Sequence, residues 1–332
     1  MDFVRRVSHA DLRVREMHTK IHIVTHSFKP EYRAPDHSST STAVIVHWGD
    51  VGPTVDRALE YLDWRIFSQI VIVANDGEDC PIQMLVEGVS WLVPPRNLGF
   101  AGGCSYGAMY HPADKYAFFN NDVILSPPSV MKCLEALDVQ GVGISAPTLF
   151  LPDGSLQSGC GTLSPWIRRP KCDSLPQKTM SDCDWVTGAA LFCAHEVLTD
   201  VGYDGSYFFM GEDVDLCIRA KKQGWRVVVL ADAKGIHHPS SERYGGKSRG
   251  AYHGTRNLIW LTRRNQSKVR SIGVTLYLIK QLPRTVIADL VRHRYPHARL
   301  LIHGIRDGWS ALPVDHQPLD DEPIPSRWVE WV

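Results

Sequence analysis

Short apolar runs that each stop at polar residues constrain the fold of this 332-residue chain most strongly. Thr42–His47 and Gln69–Ala74 are β-branched runs, and Tyr116–Phe119 is an apolar run that stops at Asn120–Asp122. Runs of this length, bounded by polar or turn residues, are typical of buried strands. Helical patterns lie between them. Strands that alternate with helices predict an α/β fold with a mostly parallel central sheet flanked by helices.

Composition divides the chain into three parts. Residues 1–41 are predicted to be an N-terminal extension and linker, because the stretch 30–42 is rich in Pro, Ser and Thr. An α/β domain is predicted over residues 42–268. Residues 269–332 are predicted to be a helical C-terminal region with an irregular tail, because apolar residues recur there at helical spacing and prolines follow.

The overall charge excludes some partners. Lys plus Arg and Asp plus Glu both number 36, so no general attraction draws the chain to nucleic acid or to an anionic membrane. The eight cysteines form no CxxC pair, and no apolar run reaches the roughly 18 residues that a membrane span needs. These features predict a cytoplasmic protein with reduced thiols, which would touch the inner face of a membrane only from its surface.

The polar triplet Asn120, Asn121 and Asp122 is a candidate metal and sugar site. Ligands of open α/β sheets bind outside the carboxyl ends of the strands. Mg²⁺ and Mn²⁺ prefer oxygen ligands and often take one or two carboxylates together with phosphate oxygens. Asp122 is therefore a candidate ligand of Mn²⁺ or Mg²⁺, and the two asparagines could contact sugar or ribose hydroxyls. The alternative is an ordinary polar turn, since Asn and Asp favour turns.

Glu212 and Asp213 are candidate catalytic residues. They begin a predicted helix over 213–224, directly after the apolar run 207–210 and Gly211. A carboxylate at the edge of an apolar wall can act as a general base toward a hydroxyl. The alternative is helix capping, because acids are also stabilised at helix N-termini.

Three further segments carry weaker signals. His237, the first of two consecutive histidines, could ligate a metal, although a lone His is more often structural. The Gly-rich segment Asn97–Gly103 could hold phosphate, but it is neither a Walker loop nor a GxGxxG motif. A mobile Gly-rich loop that could close over a diphosphate is predicted to contain Arg243, Lys247, Arg249 and Arg256. The alternative for that loop is a solvated basic surface.

The order and spacing of these segments resemble the family 2 glycosyltransferases, in particular a rhamnosyltransferase-like branch with the GT-A fold. The matching elements are the strand before Asn75, Asn97–Gly103, Phe119–Val123, Asp184–Ala190, Phe208–Leu216 and His237. The resemblance covers residues 42–265, and Leu301–Gly308 looks like the tail of the same branch. It implies a Rossmann-like GT-A domain with a helical C-terminal extension.

The resemblance also implies a reaction. It implies inverting transfer of a sugar, with rhamnose suggested by the branch, from a nucleotide-diphosphate donor to a hydroxyl of a glycan or lipid-linked acceptor in polysaccharide biosynthesis. UDP and dTDP are the preferred donor nucleotides. Asp122 corresponds to the last residue of the family's DxD-type metal motif, Asp213 to its catalytic base, and His237 to its metal-ligand or diphosphate position.

Donor contacts follow from the same resemblance. The implied donor-binding residues are His47, Trp48, Asn75, Asp76, Asn97, Gly99, Gly102, Gly103, Asn120, Asn121, Arg243 and Lys247. The chain departs from the family pattern at Ala74, where Asp is common, so Asp76 or Asp79 could contact the nucleobase instead. It also has Cys104-Ser105 where the family often has Asn-Asn, which affects contacts near the donor sugar.

Two other functions are compatible with the same residues. A sugar-nucleotidyltransferase would share the α/β sheet and the metal-binding acid. That class typically has a Gly-rich loop with Arg and Lys after the first strand, whereas residues 47–53 of this chain contain no Arg or Lys. A non-catalytic nucleotide-sugar or glycan-binding protein would not need Asp213. The amphipathic C-terminal helices are predicted to pack on the domain or on a second subunit, with a peripheral membrane contact as the alternative.

Overall fold

The structure, a computed structural model, describes residues 40–164, 170–239, 246–291 and 296–310. Apart from Thr40 and Ser41, the predicted extension over residues 1–41 lies outside the described residues, as does the tail after residue 310.

The described residues form strands and helices in an alternating order. The strands are β1 Ser41–His47, β2 Gln69–Ala74, β3 Val89–Leu92, β4 Lys115–Asn120, β5 Val123–Leu125, β6 Val142–Phe150, β7 Leu156–Ser158, β8 Cys160–Leu163, β9 Pro170–Ser174, β10 Met180–Asp182, β11 Ala190–Ala194 and β12 Arg226–His237. The α-helices are α1 Val51–Asp63, α2 Gly99–Tyr110, α3 Pro127–Ala136, α4 His195–Asp200, α5 Glu212–Lys222, α6 Gly246–Asn265, α7 Lys268–Val291 and α8 Pro296–Trp309. Single 3₁₀ turns occupy Ile82–Met84 and Gly205–Tyr207.

One mixed sheet of ten strands organises the molecule. Its order is β10-β12-β6-β11-β4-β1-β2-β3, with β5 paired to β12 and β7 paired to β6. β1 is parallel to β2 and β4, β2 is parallel to β3, and β6 is parallel to β12. β11 is antiparallel to both of its neighbours, β4 and β6. The predicted α/β fold with a mostly parallel sheet and a helical C-terminal region is confirmed.

Both faces of the sheet are buried. In β1, Ala43 and Ile45 belong to one hydrophobic cluster, whereas Val44 and Val46 belong to the cluster on the other face. A strand covered on both faces needs apolar residues at every position, which explains the unbroken β-branched run in the sequence. This packing fixes the strand ends that carry the polar residues.

The strand predicted from Asp184 to Cys193 is shorter in the structure. Only Ala190–Ala194 is a strand, and Trp185 instead pairs with Gly161 through a single bridge. The indole of Trp185 donates a hydrogen bond to the carbonyl oxygen of Thr162. The apolar run therefore begins before the strand, because its first residues pack against β8 and not within the main sheet.

The prediction of a mobile loop is wrong at Lys247, Arg249 and Arg256, because these residues belong to α6, which begins at Gly246. Arg256 is buried in this helix, and its Nη2 donates a hydrogen bond to the carbonyl oxygen of Tyr207. Burial of one face of α6 outweighs the low helix propensity of its glycines. Arg243 lies outside the described residues, and the side chain of Lys247 is not among those described.

None of the described helices is long and apolar enough to cross a membrane.

Candidate active site

The carboxyl ends of β1, β2 and β4 meet at one edge of the sheet. The Nδ2 atom of Asn121 donates to the carbonyl oxygen of Trp48 at 3.1 Å and lies 3.3 Å from Nδ1 of His47. The backbone N–H of Asn75 donates to the carbonyl oxygen of His47 at 3.0 Å. Asn121 therefore ties the end of β4 to the end of β1, as expected for polar residues that follow neighbouring parallel strands.

His47 is fully buried and is surrounded by polar groups. Its Nε2 atom lies 3.2 Å from Oε2 of Glu78 and 3.4 Å from Oδ2 of Asp76, and its Nδ1 lies 2.8 Å from Oγ1 of Thr54. The Nδ2 group of Asn121 can only donate hydrogen bonds, so the Nδ1 atom of His47 beside it is the acceptor. The ring proton of a neutral His47 is then on Nε2, which faces the two carboxylates.

Glu78 was missed by the sequence analysis. Among the described residues, His47, Asp76 and Glu78 are close enough to one another to hold a metal ion, although both carboxylates are exposed. Glu78 lies two residues after Asp76, so the acidic run after β2 was the signal for it.

The Gly-rich segment is held in place by two asparagines. The side chain of Asn75 donates to the carbonyl oxygen of Gly99 at 2.9 Å and accepts from the backbone N–H of Leu98 at 3.2 Å. Oδ1 of Asn97 accepts from the N–H of Gly99 at 2.8 Å. Asn75 is 6% exposed, so its amide orders the loop.

The glycines of this segment allow close packing. Gly99 has φ +67°, and a Cβ there would overlap the carbonyl oxygen of Phe208. Gly102 and Gly103 are buried, and a Cβ on Gly103 would lie 3.1 Å from Cγ1 of Val46. The first turn of α2 therefore packs directly on β1 and on the Phe208 turn, which leads to the acidic pair.

Asp122 and His237 are adjacent because β5 pairs with the end of β12. His237 is opposite Val123 in the ladder, and the N–H of His238 donates to the carbonyl oxygen of Asp122 at 2.9 Å. Nε2 of His237 lies 3.0 Å from Oδ1 of Asp122. Two residues 115 positions apart in sequence are thus brought together as one carboxylate and one imidazole.

This pair fits a divalent metal. Nδ1 of His237 is buried and has no hydrogen-bond partner among the described residues. One carboxylate and one imidazole suit Mn²⁺, with the remaining positions open to diphosphate oxygens. Asp122 and His237 are the residues that would hold such an ion at this end of the sheet.

Asp213 is oriented by two backbone N–H groups. Oδ2 accepts from Gly188 at 2.9 Å, and Oδ1 accepts from Val214 at 2.7 Å. Burial raises the pKa of Asp213, and the N–H groups of Gly188 and Val214 oppose that rise. The hydrogen bonds favour the carboxylate form, as a general base requires.

Glu212 has the opposite surroundings. It is 6% exposed, and its Oε2 has no hydrogen-bond partner among the described residues. Burial, and then the charge of Asp213, raise the pKa of Glu212 to about 8. Burial thus raises the pKa of both carboxyl groups, and the two backbone N–H groups bonded to Asp213 make it the better candidate for the ionised base.

A constrained turn presents this pair. Phe208 and Met210 both have positive φ, at 59° and 71°. The Nδ2 group of Asn257 in α6 donates to the carbonyl oxygens of Tyr207, Phe209 and Met210 at 2.9, 2.8 and 2.6 Å. L residues rarely adopt these backbone conformations. They persist only where surrounding contacts hold them, and they cluster at functional sites.

One cavity of about 480 Å³ reaches the acidic pair and His237, but Asp122, His47 and Asn75 are not part of its lining. Its polar lining includes Asn120, Glu212, Asp213 and His237. The remaining lining includes the aromatic residues Phe100, Trp185 and Phe209, and residues of α6 such as Asn257. The cavity is therefore a cleft with few polar groups and apolar walls, which is typical of sites that bind small molecules or sugars.

Curated proteins that are similar in sequence include a rhamnosyltransferase and an O-antigen biosynthesis protein. The chain is 29% identical over 138 residues to the N-acetylglucosaminyl-diphospho-decaprenol L-rhamnosyltransferase of Mycobacterium tuberculosis, an alignment that covers 36% of this chain and 45% of that protein. It is 28% identical over 236 residues to the O-antigen biosynthesis protein RfbC of Myxococcus xanthus, covering 64% of this chain and 18% of that protein. The chain thus spans less than half the length of these relatives. No protein-family model matches it.

Solved structures share the fold. Staphylococcus aureus TarS residues 1–349 in complex with UDP-GlcNAc superpose with a TM-score of 0.55 at 11% identity, covering 82% of each chain. The mannosyltransferase PcManGT of Pyrobaculum calidifontis, in complex with GDP-Man and Mn²⁺, superposes with a TM-score of 0.51 at 10% identity, covering 91% of this chain and 95% of that chain. The chain therefore has the GT-A fold, and over 36% of its length it is similar in sequence to a rhamnosyltransferase.

Proposed function

We propose that this chain is an inverting glycosyltransferase that moves a sugar from a nucleotide-diphosphate donor to a hydroxyl group of an acceptor. The observation that carries the proposal is the single cavity that brings together Asn120, the Glu212–Asp213 pair and His237 from three separate parts of the chain. A binding module has no need for a buried carboxyl group that accepts two backbone hydrogen bonds beside an apolar cavity.

Asp213 acts as the general base. Its carboxylate takes the proton from the acceptor hydroxyl, whose oxygen forms a bond to C1 of the donor sugar. The bond from C1 to the diphosphate oxygen breaks on the opposite face, and the nucleoside diphosphate leaves with the electron pair. A single displacement inverts the anomeric centre, whereas retention ordinarily needs two displacements.

Glu212 stays neutral during this step. A second negative charge beside Asp213 would compete with it for the incoming proton and raise the cost of burial. The pKa of about 8 keeps Glu212 protonated at neutral pH. Only Asp213 then carries the charge that the reaction uses.

Asp122 and His237 form the metal and diphosphate end of the site. A divalent ion bound there would neutralise charge on the leaving diphosphate. The Mn²⁺ in the mannosyltransferase structure supports a divalent cation, and Mn²⁺ and Mg²⁺ both remain in the proposal. His47, Trp48, Asn75 and Asp76 lie at the neighbouring strand ends, where the proposal places the nucleotide.

The donor is a nucleotide sugar. UDP-GlcNAc and GDP-Man in two structures of the same fold support this class. The rhamnosyltransferase relative supports a dTDP- or UDP-linked deoxyhexose such as rhamnose, and a glycan or lipid-linked acceptor in polysaccharide biosynthesis. A cytoplasmic protein that meets such an acceptor at the inner face of a membrane is part of the same proposal.

A donor screen tests the proposal. Thermal shift with UDP-, dTDP- and GDP-sugars, each with Mn²⁺, Mg²⁺ or EDTA, should show stabilisation by at least one nucleotide sugar, because a ligand that binds only the folded state raises its stability. Asp122→Ala should abolish the metal-dependent part of that shift. Asp232→Ala, which removes an exposed carboxylate from β12, is the control and should leave it intact. A metal-dependent shift that survives in Asp122→Ala would remove Asp122 as a ligand.

A further inference from the structure

Helix α7 carries an apolar stripe that no described part of the chain covers. Its members are Val269, Ile272, Leu276, Ile279, Val286 and Leu290, which recur at alternating intervals of three and four residues, with Pro283 at the position between Ile279 and Val286. Their side chains are between 41% and 78% exposed. The interval places all of them on one face along the whole 24-residue helix.

This stripe is separate from the face that packs on the domain. Val274 and Leu278 are buried, and they form a cluster with Ile259 of α6. Scattered exposed apolar residues are ordinary, but a continuous apolar face of this length on a surface marks an interaction site.

The exposed charged residues of this helix are all basic. Lys268, Arg270, Lys280 and Arg284 are exposed, and none of them forms an ion pair with a described residue. The acid in this helix, Asp289, is buried and accepts from the N–H of Ala298 at 2.9 Å. At about 100° per residue, Lys268 and Lys280 flank the stripe on its two sides.

This charge pattern decides the occupant. A second copy of α7 would bring the same basic residues together along the seam, with no exposed acid in the helix to pair with them, and like charges at an interface are costly. An anionic lipid surface accepts both features, because apolar side chains enter the acyl region while Lys and Arg reach the headgroups.

We infer that the apolar stripe of α7 and its flanking cations form a docking surface for an anionic membrane. This inference goes beyond the proposed transfer reaction, since lipid binding needs neither donor nor catalysis. One consequence rests on the proposed function. Helix α6 packs on α7 through Ile259 and lines the cavity through Asn257 and Leu258, so docking would bring the cavity close to a lipid-borne acceptor.

Vesicle flotation of the full chain, without donor, tests the inference. Vesicles of phosphatidylcholine alone are compared with vesicles that also contain phosphatidylglycerol. The protein should float with the anionic vesicles, and added salt should weaken the binding.

Two pairs of variants separate the apolar and charged contributions. Leu276→Ser with Leu290→Ser should lower binding, whereas Ile82→Ser, at an exposed apolar residue outside α7, should not. Lys280→Glu with Arg284→Glu should lower binding at least about tenfold, whereas Lys178→Glu should not. Melting temperatures near that of the unchanged protein exclude unfolding as the cause.

Three results would overturn the inference. They are the absence of flotation with anionic vesicles, equal binding by the α7 variants and the control variants, and a dimer in sedimentation that Leu276→Ser disrupts while the protein does not bind vesicles. The last result would assign the stripe to a second copy. Donor binding in the thermal-shift screen stays measurable in each case, so loss of docking and loss of the proposed enzymatic function are distinguishable.

Discussion

At the scale of single residues, Glu212 and Asp213 are neighbouring buried carboxyl groups with different hydrogen bonds. Both follow Gly211, whose φ of +93° is a backbone conformation that favours glycine. Asp213 accepts two backbone hydrogen bonds, whereas Oε2 of Glu212 has no partner among the described residues. These neighbours in sequence thus differ in their hydrogen bonds, and the two N–H groups on Asp213 oppose the rise in its pKa that burial causes.

The pKa of Glu212 predicts how stability depends on pH. The pKa rises from 4.5 to about 8 on folding, so the folded state binds more protons than the unfolded state between these values. The free energy of unfolding should therefore fall as pH rises from about 4.5 to about 8, by up to ~1.4 kcal/mol per pH unit, and level off above. The variant Glu212→Gln lacks this titrating group. Its melting temperature should therefore fall less than that of the unchanged protein when the pH is raised from about 5 to about 8.

The exposed Glu135→Gln is the matched control and should follow the unchanged protein. Identical pH profiles for Glu212→Gln and the unchanged protein would mean that Glu212 ionises normally in the fold.

The residue types of the site can be predicted from the amino-acid sequence, but the partners of those residues cannot. Asn75 was predicted to contact the donor, and that stays a prediction. Its amide groups are bonded to the backbone of Leu98 and Gly99, more than twenty residues later. Such a bond depends on where α2 packs, and that position is a property of the folded sheet. Glu78 was missed for the same reason, since only the burial of His47 beside it gives it a partner.

At the scale of elements, the turn around Phe208, residues 207–211, joins the Gly-rich segment Asn97–Gly103, the acidic pair and α6. Phe208 accepts from the N–H of Phe100 at 2.9 Å, and Asn257 holds the carbonyl groups on either side of it. A displacement of any of these three elements would move Asp213. The site is therefore built from contacts between elements, and no single motif contains it.

Gly99→Ala should destabilise the protein more than Gly77→Ala. Both glycines have positive φ, at +67° and +81°, so both variants incur the left-handed strain of about 1–2 kcal/mol. A Cβ at Gly99 would also overlap the carbonyl oxygen of Phe208, whereas a Cβ at Gly77 would meet nothing within 4 Å. Denaturant unfolding of the two variants measures the difference. Equal losses would show that the close approach to Phe208 does not constrain the fold.

Asn257→Ala should lower donor turnover and stability together. It removes the side-chain donor of the Phe209 and Met210 carbonyl oxygens, whereas the Tyr207 carbonyl oxygen keeps a hydrogen bond from Arg256, and each lost hydrogen bond costs about 0.5–1.5 kcal/mol. Asn265→Ala removes a hydrogen bond to Asp215 from the same helix and is the control for stability. Turnover should fall further in Asn257→Ala than in Asn265→Ala at matched stability, and the reverse order would contradict a positioning role.

The bounds of elements were predictable where burial has a simple pattern. The strand Gln69–Ala74 was predicted to the residue, because β2 is covered on both faces and turns follow it. The segment after Asp184 was not, because an apolar run that packs against β8 has the same composition as a strand. The start of α6 was missed because its glycines predict a loop, while its packing on α7 and α8 makes it a helix.

At the scale of the whole molecule, the sheet places the two halves of the site on one side. The parallel pairing of β4, β1, β2 and β3 agrees with the mostly parallel sheet that alternating strands and helices predict, whereas their order was not predicted. The insertion of β11 antiparallel between β4 and β6 was not predictable, because apolar patterns do not encode strand direction. That insertion brings the Gly188 turn, and with it the N–H that orients Asp213, to the end of β4.

The measurement that tests the central claim most directly is donor turnover by Asp213→Asn. Release of nucleoside diphosphate from the nucleotide sugar is measured with water or a supplied acceptor, and binding of the same donor is measured by titration. The account predicts a fall in turnover of at least about a hundredfold, with donor binding retained, because only the proton acceptor is lost. Near-normal turnover by Asp213→Asn would contradict the account.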